Sequence, residues 1–83
     1  MKILYFAWLR ERIGTGEEVL EPPPAVSTVA ELVAHLAARS PAHAEAFAPG
    51  KPVRCAVNLD FATPETKLGP GDEVAFFPPV TGG

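Results

Sequence analysis

The sequence has few of the residues that usually carry covalent or metal chemistry. Cys55 is the only cysteine among 83 residues, and there are two histidines. One cysteine excludes an internal disulfide and any metal centre built from cysteines alone, and it is compatible with a reducing compartment. His35 and His43 have no third ligand nearby, so we interpret them as solvated or rim side chains and expect no bound metal.

Clustered positive charge and long apolar runs are also missing. The seven lysines and arginines are scattered along a chain of net charge −3, whereas binding to phosphate backbones needs concentrated basic residues. The first apolar run stops at Arg10 without a cleavage site, and no stretch approaches the roughly 18 apolar residues of a membrane span. We therefore expect a cytoplasmic chain that contacts neither nucleic acid nor membrane.

Familiar catalytic motifs are absent as well. The sequence contains no phosphate-binding glycine loop and no G-x-S-x-G nucleophile elbow. Cys55 lies in a predicted strand, where a buried cysteine acts as a small apolar side chain. Asp72 and Glu73 are neighbours that point to opposite faces of a strand, so we interpret them as turn and edge charges.

What the sequence does contain is the order of elements expected of one small α+β domain, since 83 residues allow a single core. The predicted elements are a buried strand over 2–9, an edge strand over 17–21, one main helix, a strand over 53–59 and a last strand over 73–78. This is the order of a ubiquitin-like β-grasp fold, a mixed sheet of four to five strands with one main helix packed across it. The first and last strands, which are the most apolar, are expected to be parallel neighbours at its centre.

The main helix has a start signal and an apolar stripe. Thr28 and Glu31 have capping-box spacing, in which their side chains satisfy free amides of the first turn. Apolar residues then recur at helical spacing, at positions 29, 32, 33, 36 and 37. Ser40-Pro41 is predicted to end this helix, and the alanine-rich segment 42–48 to add one or two further helical turns.

The end of the chain combines stiffness with narrowness. Pro78 and Pro79 fix φ near −65° and favour an extended segment that leads away from the domain. Gly82 and Gly83 lack Cβ atoms, so they fit a channel too narrow for other side chains. We predict a domain over 1–77 and an extended diglycine tail over 78–83. Its terminal carboxylate, with a reference pKa of about 3.3–3.7, is ionised and needs activation before it can react.

The sequence resembles the small, sulfur-carrying subunit of molybdopterin synthase, the MoaD family, over nearly its whole length. The most specific shared segment is 71–83, and the match is loosest over 59–67. The resemblance implies a carrier in molybdenum cofactor biosynthesis that is catalytic only as part of a complex. An ATP-dependent activating enzyme adenylates Gly83, and a sulfurtransferase system makes it a thiocarboxylate. The tail then enters the large catalytic subunit of molybdopterin synthase and gives sulfur to precursor Z, cyclic pyranopterin monophosphate.

The resemblance also implies roles for individual residues. Gly83 carries the sulfur, and Gly82 keeps its approach narrow. An exposed apolar patch that serves both partners is formed by Phe6, Phe61 and Phe77. The segment that leads the tail into the partner consists of Pro78, Pro79, Val80 and Thr81. No cofactor is expected on the chain itself, because the activating enzyme consumes the ATP.

Strand alternation bears on the patch independently of the resemblance. Phe76 and Phe77 are adjacent in the last predicted strand, so they must face opposite sides of the sheet. One of the two is therefore available to a partner.

Three other functions remain open at the level of sequence. A sulfur carrier for thiamine or another product would share the fold and the diglycine. A ubiquitin-like modifier would be attached through Gly83 to lysines of other proteins. A structural interaction module would function without Gly82 and Gly83.

Overall fold

The computed structural model describes residues 1–79, in which three short helices lie on one face of a five-stranded sheet. In chain order the elements are β1 (Lys2–Tyr5), α1 (Trp8–Ile13), β2 (Glu17–Val19), α2 (Val29–Ala37), α3 (Pro41–Ala46), β3 (Arg54–Val57), β4 (Asp60–Ala62) and β5 (Glu73–Phe77). The predicted α+β class and β-grasp order are confirmed.

The sheet is mixed, with the order β2-β1-β5-β3-β4. β1 and β5 are parallel, with Ile3 in register with Val74, and β2 runs antiparallel to β1 at one edge. β5 also pairs antiparallel with β3. The prediction that the first and last strands are parallel neighbours at the centre is therefore confirmed, and the end of β5 lies between two other strands.

The core lies between the sheet and the helices. From β1 and β5, the side chains of Ile3, Tyr5, Val74 and Phe76 all point to the helical side and are at most 1% exposed. They pack with buried apolar residues from the remaining elements, among them Leu9, Leu32, Leu36, Ala46, Cys55 and Val57. Burying one large apolar side chain contributes about 1.5–3 kcal/mol, so this single cluster is the main source of stability.

The start of α2 follows the predicted capping spacing. The Thr28 hydroxyl accepts a hydrogen bond from the Glu31 amide at 3.3 Å. The Glu31 carboxylate in turn accepts bonds from the Ser27 amide at 3.0 Å and from the Ser27 hydroxyl at 2.9 Å. The Thr28 hydroxyl also donates to this carboxylate at 3.2 Å, and the bonds to the carboxylate, first those from Ser27 and then that from Thr28, lower the pKa of Glu31. In the usual capping box the glutamate accepts from the amide of the N-cap residue, here Thr28, whereas Glu31 accepts from the amide of Ser27, one residue earlier. The cap orients the buried stripe of α2 toward the sheet.

The first strand is shorter than predicted. β1 ends at Tyr5, and Trp8–Ile13 forms a helix instead of a strand end and a turn. Ala7, with φ of 55°, turns the chain out of the strand direction. The helix buries Leu9 and ends at Gly14, where φ is 96° and the amide donates to the Arg10 carbonyl. The continuous apolar run misled the prediction, because Leu9 reaches the same core from a helix.

One strand was missed altogether. The segment after β3, for which no strand was predicted, forms β4 and pairs antiparallel with β3, with Ala56 opposite Phe61. The two strands are joined by Asn58 and Leu59, with φ of 49° and 73°, as a two-residue hairpin turn requires. Leucine is unusual at the second position of such a turn, which is why the sequence pattern gave no hairpin signal.

The region after α2 is helical, as predicted. The Ser40 hydroxyl accepts a bond from the His43 amide at 3.1 Å and caps α3, whose first residue is Pro41. The interpretation of His43 as a solvated or rim residue is wrong, since its side chain is buried at 7% exposure.

Candidate functional site

The sheet face opposite the helices, which we call the open face, carries exposed aromatic rings. Phe61 of β4 is 88% exposed, and Phe6, just beyond β1, is 48% exposed. Phe77, the last residue of β5, is half-buried, and its ring centroid lies 6.1 Å from that of Phe61. We call Phe6, Phe61 and Phe77 the aromatic patch, since exposed apolar groupings of this kind mark interaction sites.

Strand register explains why these rings stand out. Phe61 is opposite Ala56, and Ala56 is opposite Ala75, so small residues occupy the middle of the open face. On the far side of β5, Ala75 is in register with Leu4. Two alanines therefore form a shallow floor between larger side chains, and the aromatic rings rise above it.

The chain leaves the sheet directly beside the aromatic patch. The Phe6 amide donates to the Phe76 carbonyl at 3.0 Å, which extends the pairing of β1 with β5 to the end of the strand. Pro78 and Pro79 follow Phe77 and have no amide hydrogen, so they cannot donate to a sheet ladder on either side. The end of β5 is thus held between two neighbouring strands, and the two prolines begin a segment outside the sheet.

Charges on the open face are divided between its two ends. Arg54 is exposed and in register with Phe77, next to the aromatic patch. At the other end, the Lys2 ammonium lies 3.7 Å from Glu17 and 3.9 Å from Glu73. These ion pairs are solvent-exposed and contribute little to stability. The end of the face nearest the tail therefore presents apolar rings together with a positive charge.

Comparisons with known proteins agree with this geometry. The family model described as the ThiS family matches residues 3–83. The chain belongs to the ThiS family. It is 45% identical to the molybdopterin synthase sulfur carrier subunit of Escherichia coli strain K12 and 40% identical to that of Haemophilus influenzae. Each match covers 100% of this chain and 99% of the relative.

A solved structure shows the same fold. The crystal structure of small archaeal modifier protein 1 from Haloferax volcanii matches with a TM-score of 0.78 at 25% identity. The match covers 96% of this chain and 97% of the archaeal one. ThiS-family chains and an archaeal modifier protein therefore share the ubiquitin-like β-grasp arrangement.

In this ThiS-family chain, the residues predicted to bind partners are grouped around one end of β5. Phe61 and Phe77 are neighbours on the open face, and Phe6 lies beyond β1 on the other side of β5. Pro78 and Pro79 follow directly and are half-buried. The remaining predicted residues, Val80, Thr81, Gly82 and Gly83, lie outside the described residues.

Cys55 lies on the opposite side of the sheet, in the core. Its thiol is free and buried, and burial raises its pKa to about 11. A thiol with this pKa is almost entirely protonated at neutral pH and is a poor nucleophile. The interpretation of Cys55 as a small apolar side chain is confirmed.

A polar cluster that joins β2 to α3 was not predicted from the sequence. The His43 ring is hydrogen-bonded through Nδ1 to Ser40 at 2.7 Å and through Nε2 to the Glu18 carboxylate at 2.8 Å. The Tyr5 hydroxyl donates to the same carboxylate at 2.7 Å, and Arg39 lies 3.4 Å from its other oxygen. Glu18 therefore turns toward the helices, whereas its neighbour Glu17 is exposed at the sheet edge.

Electrostatics in this cluster favour an ionised Glu18. Partial burial alone would raise the pKa of the carboxyl, but hydrogen bonds from His43 and Tyr5 and the nearby charges of His43 and Arg39 outweigh it and lower the pKa. The Tyr5 pKa is raised, first by burial and then by its bond to Glu18. Because Ser40 is already engaged as the cap of α3, the row Ser40-His43-Glu18 holds structure together and is not a hydrolytic triad.

Metal-ligating groups and buried polar atoms can be checked within residues 1–79. This part of the chain contains no group of three histidine, cysteine or acidic side chains arranged to hold a metal ion. Every buried side-chain polar atom in it has a hydrogen-bond partner. None of its helices is long and apolar enough to cross a membrane.

Proposed function

We propose that this chain is the sulfur carrier subunit of a molybdopterin synthase. The observation that carries the proposal is the end of β5, where Phe77 belongs to the aromatic patch and Pro78-Pro79 starts the segment leading to Gly83. A partner that covers the patch is thereby placed beside the emerging tail. One docking event can both recognise the domain and receive its reactive end.

The reacting group is the terminal carboxylate of Gly83. An activating enzyme joins it to the α-phosphate of ATP, which releases pyrophosphate and leaves an acyl-adenylate. A hydrosulfide equivalent supplied by a sulfurtransferase system then displaces AMP from the acyl-adenylate and leaves a thiocarboxylate. In the synthase, the sulfur of this thiocarboxylate forms a bond to a carbon atom of precursor Z, cyclic pyranopterin monophosphate, and displaces an oxygen substituent. Water then hydrolyses the acyl–sulfur bond and restores the carboxylate of Gly83, so each charged carrier delivers one sulfur. The carrier is therefore consumed and recharged in each cycle.

The chain's own residues position this group and leave the acid-base chemistry to the partners. Gly82 and Gly83 have no side chains, so the tip can enter a narrow active site of the large catalytic subunit. Pro78 and Pro79 restrict the backbone, and Val80 and Thr81, which follow them in the sequence, are assigned to partner binding. The inert thiol of Cys55 supports a terminal, not an internal, site for sulfur.

Partner binding is assigned to the aromatic patch and its surroundings. Phe6, Phe61 and Phe77 supply apolar area of the kind that dominates binding free energy when it is buried in a partner. Arg54, in register with Phe77, is placed to meet a carboxylate of the partner. Because adenylation consumes ATP, we expect the cycle to run in the cytoplasm.

Two other uses of the same tail are less well supported. A carrier for thiamine would also fit the ThiS family, and a modifier would fit the fold of the archaeal protein. The relatives that match this chain over its full length at 45% and 40% identity are both named molybdopterin synthase sulfur carrier subunits. That agreement over the whole chain favours the synthase.

The test is an intact-mass measurement followed by a transfer assay. After incubation with ATP, a cognate activating enzyme and a sulfur source, the mass of the chain should rise by the difference between one sulfur and one oxygen. The charged carrier, mixed with the large subunit and precursor Z, should yield molybdopterin, and a variant lacking Gly83 should do neither. An unchanged mass, or isopeptide-linked conjugates on a denaturing gel, would count against the proposal.

A further inference from the structure

The hairpin between β3 and β4 contains a residue whose place the fold does not explain. Leu59 has a φ of 73°, in the left-handed region, and is 89% exposed. Side chains with a Cβ are disfavoured in this region, and glycine or asparagine is the usual choice at this position of a two-residue turn. Leu59 therefore combines an unfavourable backbone with an exposed apolar side chain.

The preceding residue explains how the strained turn is maintained. The Asn58 amide donates to the Glu73 carbonyl at 2.8 Å, and the Glu73 amide donates to the Asn58 side chain at 3.0 Å. Asn58 Nδ2 also donates to the Asp72 carboxylate at 3.0 Å. These bonds anchor the hairpin to the start of β5. Strained residues persist where their surroundings hold them in this way, and they often mark functional positions.

Leu59 also continues the exposed apolar surface. Phe61 lies two residues further along the chain, in β4, and is 88% exposed. A stable interface covers about 800 Å² on each partner, which is more than three phenylalanines provide. The hairpin lies toward the end of the sheet where β5 starts, because Val57 is in register with Val74, so a partner that covers Phe61 would have to extend from the tail end toward that end to contact Leu59.

We propose that Leu59 is a partner-binding residue, and that its branched side chain enters an apolar recess on the large catalytic subunit of molybdopterin synthase. The inference rests on the proposed function and adds a residue to it. We choose the large subunit because the relatives are named as subunits of that synthase, so the synthase complex is where an interface of standard size is expected.

Two substitutions test whether Leu59 binds a partner or is only tolerated by the fold at this turn position. Leu59→Gly and Leu59→Asn both suit a positive φ and both remove the apolar side chain. Because the backbone strain is relieved, the folding equilibrium in urea titrations should shift toward the native state by about five-fold. Calorimetric titration with the large subunit should nevertheless show binding weakened by about ten-fold.

Val19 offers a matched control. Like Leu59, Val19 is an exposed aliphatic residue, with 75% of its surface accessible. It belongs to β2, the edge strand furthest from β4 in the sheet. β2 and β4 are four strand spacings apart, about 19 Å. Val19→Thr should leave the affinity for the large subunit unchanged.

Each other outcome overturns the proposal in a recognisable way. Variants that gain stability but bind as tightly as wild type would show that Leu59 is only tolerated, and variants that lose stability would show that the turn is not strained. Slower adenylation with unchanged synthase binding would assign Leu59 to the activating enzyme. If the wild-type protein sediments as a dimer and either variant sediments as a monomer, Leu59 would be assigned to an interface with a second copy of this chain. If wild type itself does not bind the large subunit, the proposed function fails together with this inference.

Discussion

Phe76 and Phe77 are adjacent in β5 but face opposite sides of the sheet, so that Phe76 is fully buried while Phe77 lies beside Phe61 on the open face. Truncating each ring should therefore have a different effect. Phe76→Ala leaves a cavity in the core and should lower the free energy of unfolding by about 3–5 kcal/mol. Phe77→Ala should cost much less stability but weaken binding to the large subunit by at least about ten-fold.

Urea unfolding and calorimetric titration measure the two effects separately. Phe61→Ser provides a second patch variant whose 88% exposure makes a folding defect unexpected. Equal destabilisation by the Phe76 and Phe77 variants would contradict the assignment of faces. Unchanged binding in both patch variants would contradict the role of the aromatic patch.

The polar cluster predicts a dependence of stability on pH. The pKa of Glu18 is lowered in the folded state, so its contribution is fully present above the unfolded value of 4.5 and is lost as pH falls through the folded pKa. Glu18→Gln should lower the free energy of unfolding by about 1–3 kcal/mol at pH 7, because charged hydrogen bonds to His43 and Tyr5 are replaced. The difference from wild type should shrink below about pH 4.5.

Glu17→Gln is the matched control for this experiment. Glu17 is the neighbouring residue in β2, and within residues 1–79 it forms one ion pair, an exposed one with Lys2. Its loss should change the free energy of unfolding by less than about 1 kcal/mol at any pH. A gap between wild type and the Glu18 variant that is constant from pH 7 to pH 3 would show that the charge of Glu18 is not involved.

Cys55 should be unreactive in the native state. With a pKa of about 11 and a buried sulfur, its thiolate fraction at pH 8 is on the order of one in a thousand. Reaction with a disulfide reagent should be slower by at least about a hundred-fold than in denaturant. Cys55→Ala should still accept sulfur on Gly83. Loss of sulfur loading in that variant, despite a normal fold, would require an internal sulfur relay.

The two prolines at the end of β5 should matter for transfer and not for stability. Replacing Pro78 and Pro79 by glycine frees two backbone positions that must be ordered when the tail enters the partner, at about 1–2 kcal/mol each. We expect sulfur transfer at limiting large subunit to fall by about ten-fold or more, with the midpoint of urea unfolding nearly unchanged. Single-turnover assays with pre-charged carrier measure this step. Transfer at the wild-type rate would show that a stiff approach is unnecessary.

The elements with local signals were predictable from the sequence. The spacing of Thr28 and Glu31 predicted the start of α2, because capping depends on residues that are close together in the chain. Alternation in β5 separated Phe76 from Phe77 because successive strand residues always face opposite sides. These are short-range rules, and the structure follows them.

The parts that were missed depend on contacts between distant residues. From the sequence, the apolar run through Leu9 was predicted to continue β1. In the structure, Ala7 turns the chain and Leu9 enters the core from a helix. His43 is buried because Glu18, 25 positions earlier, supplies its partner from another element. The β3–β4 hairpin was not predicted because Leu59 occupies the turn position at which glycine usually indicates a hairpin.

The position of β5 has a consequence for how the protein is made. β5 is the last strand of the sheet to leave the ribosome, yet it lies between β1 and β3 and supplies Val74 and Phe76 to the core. A chain that stops before Phe76 lacks this central strand, so we expect it to be less stable and more readily cleaved by proteases than the full-length chain. Completion of the fold therefore depends on synthesis of residues close to the base of the tail.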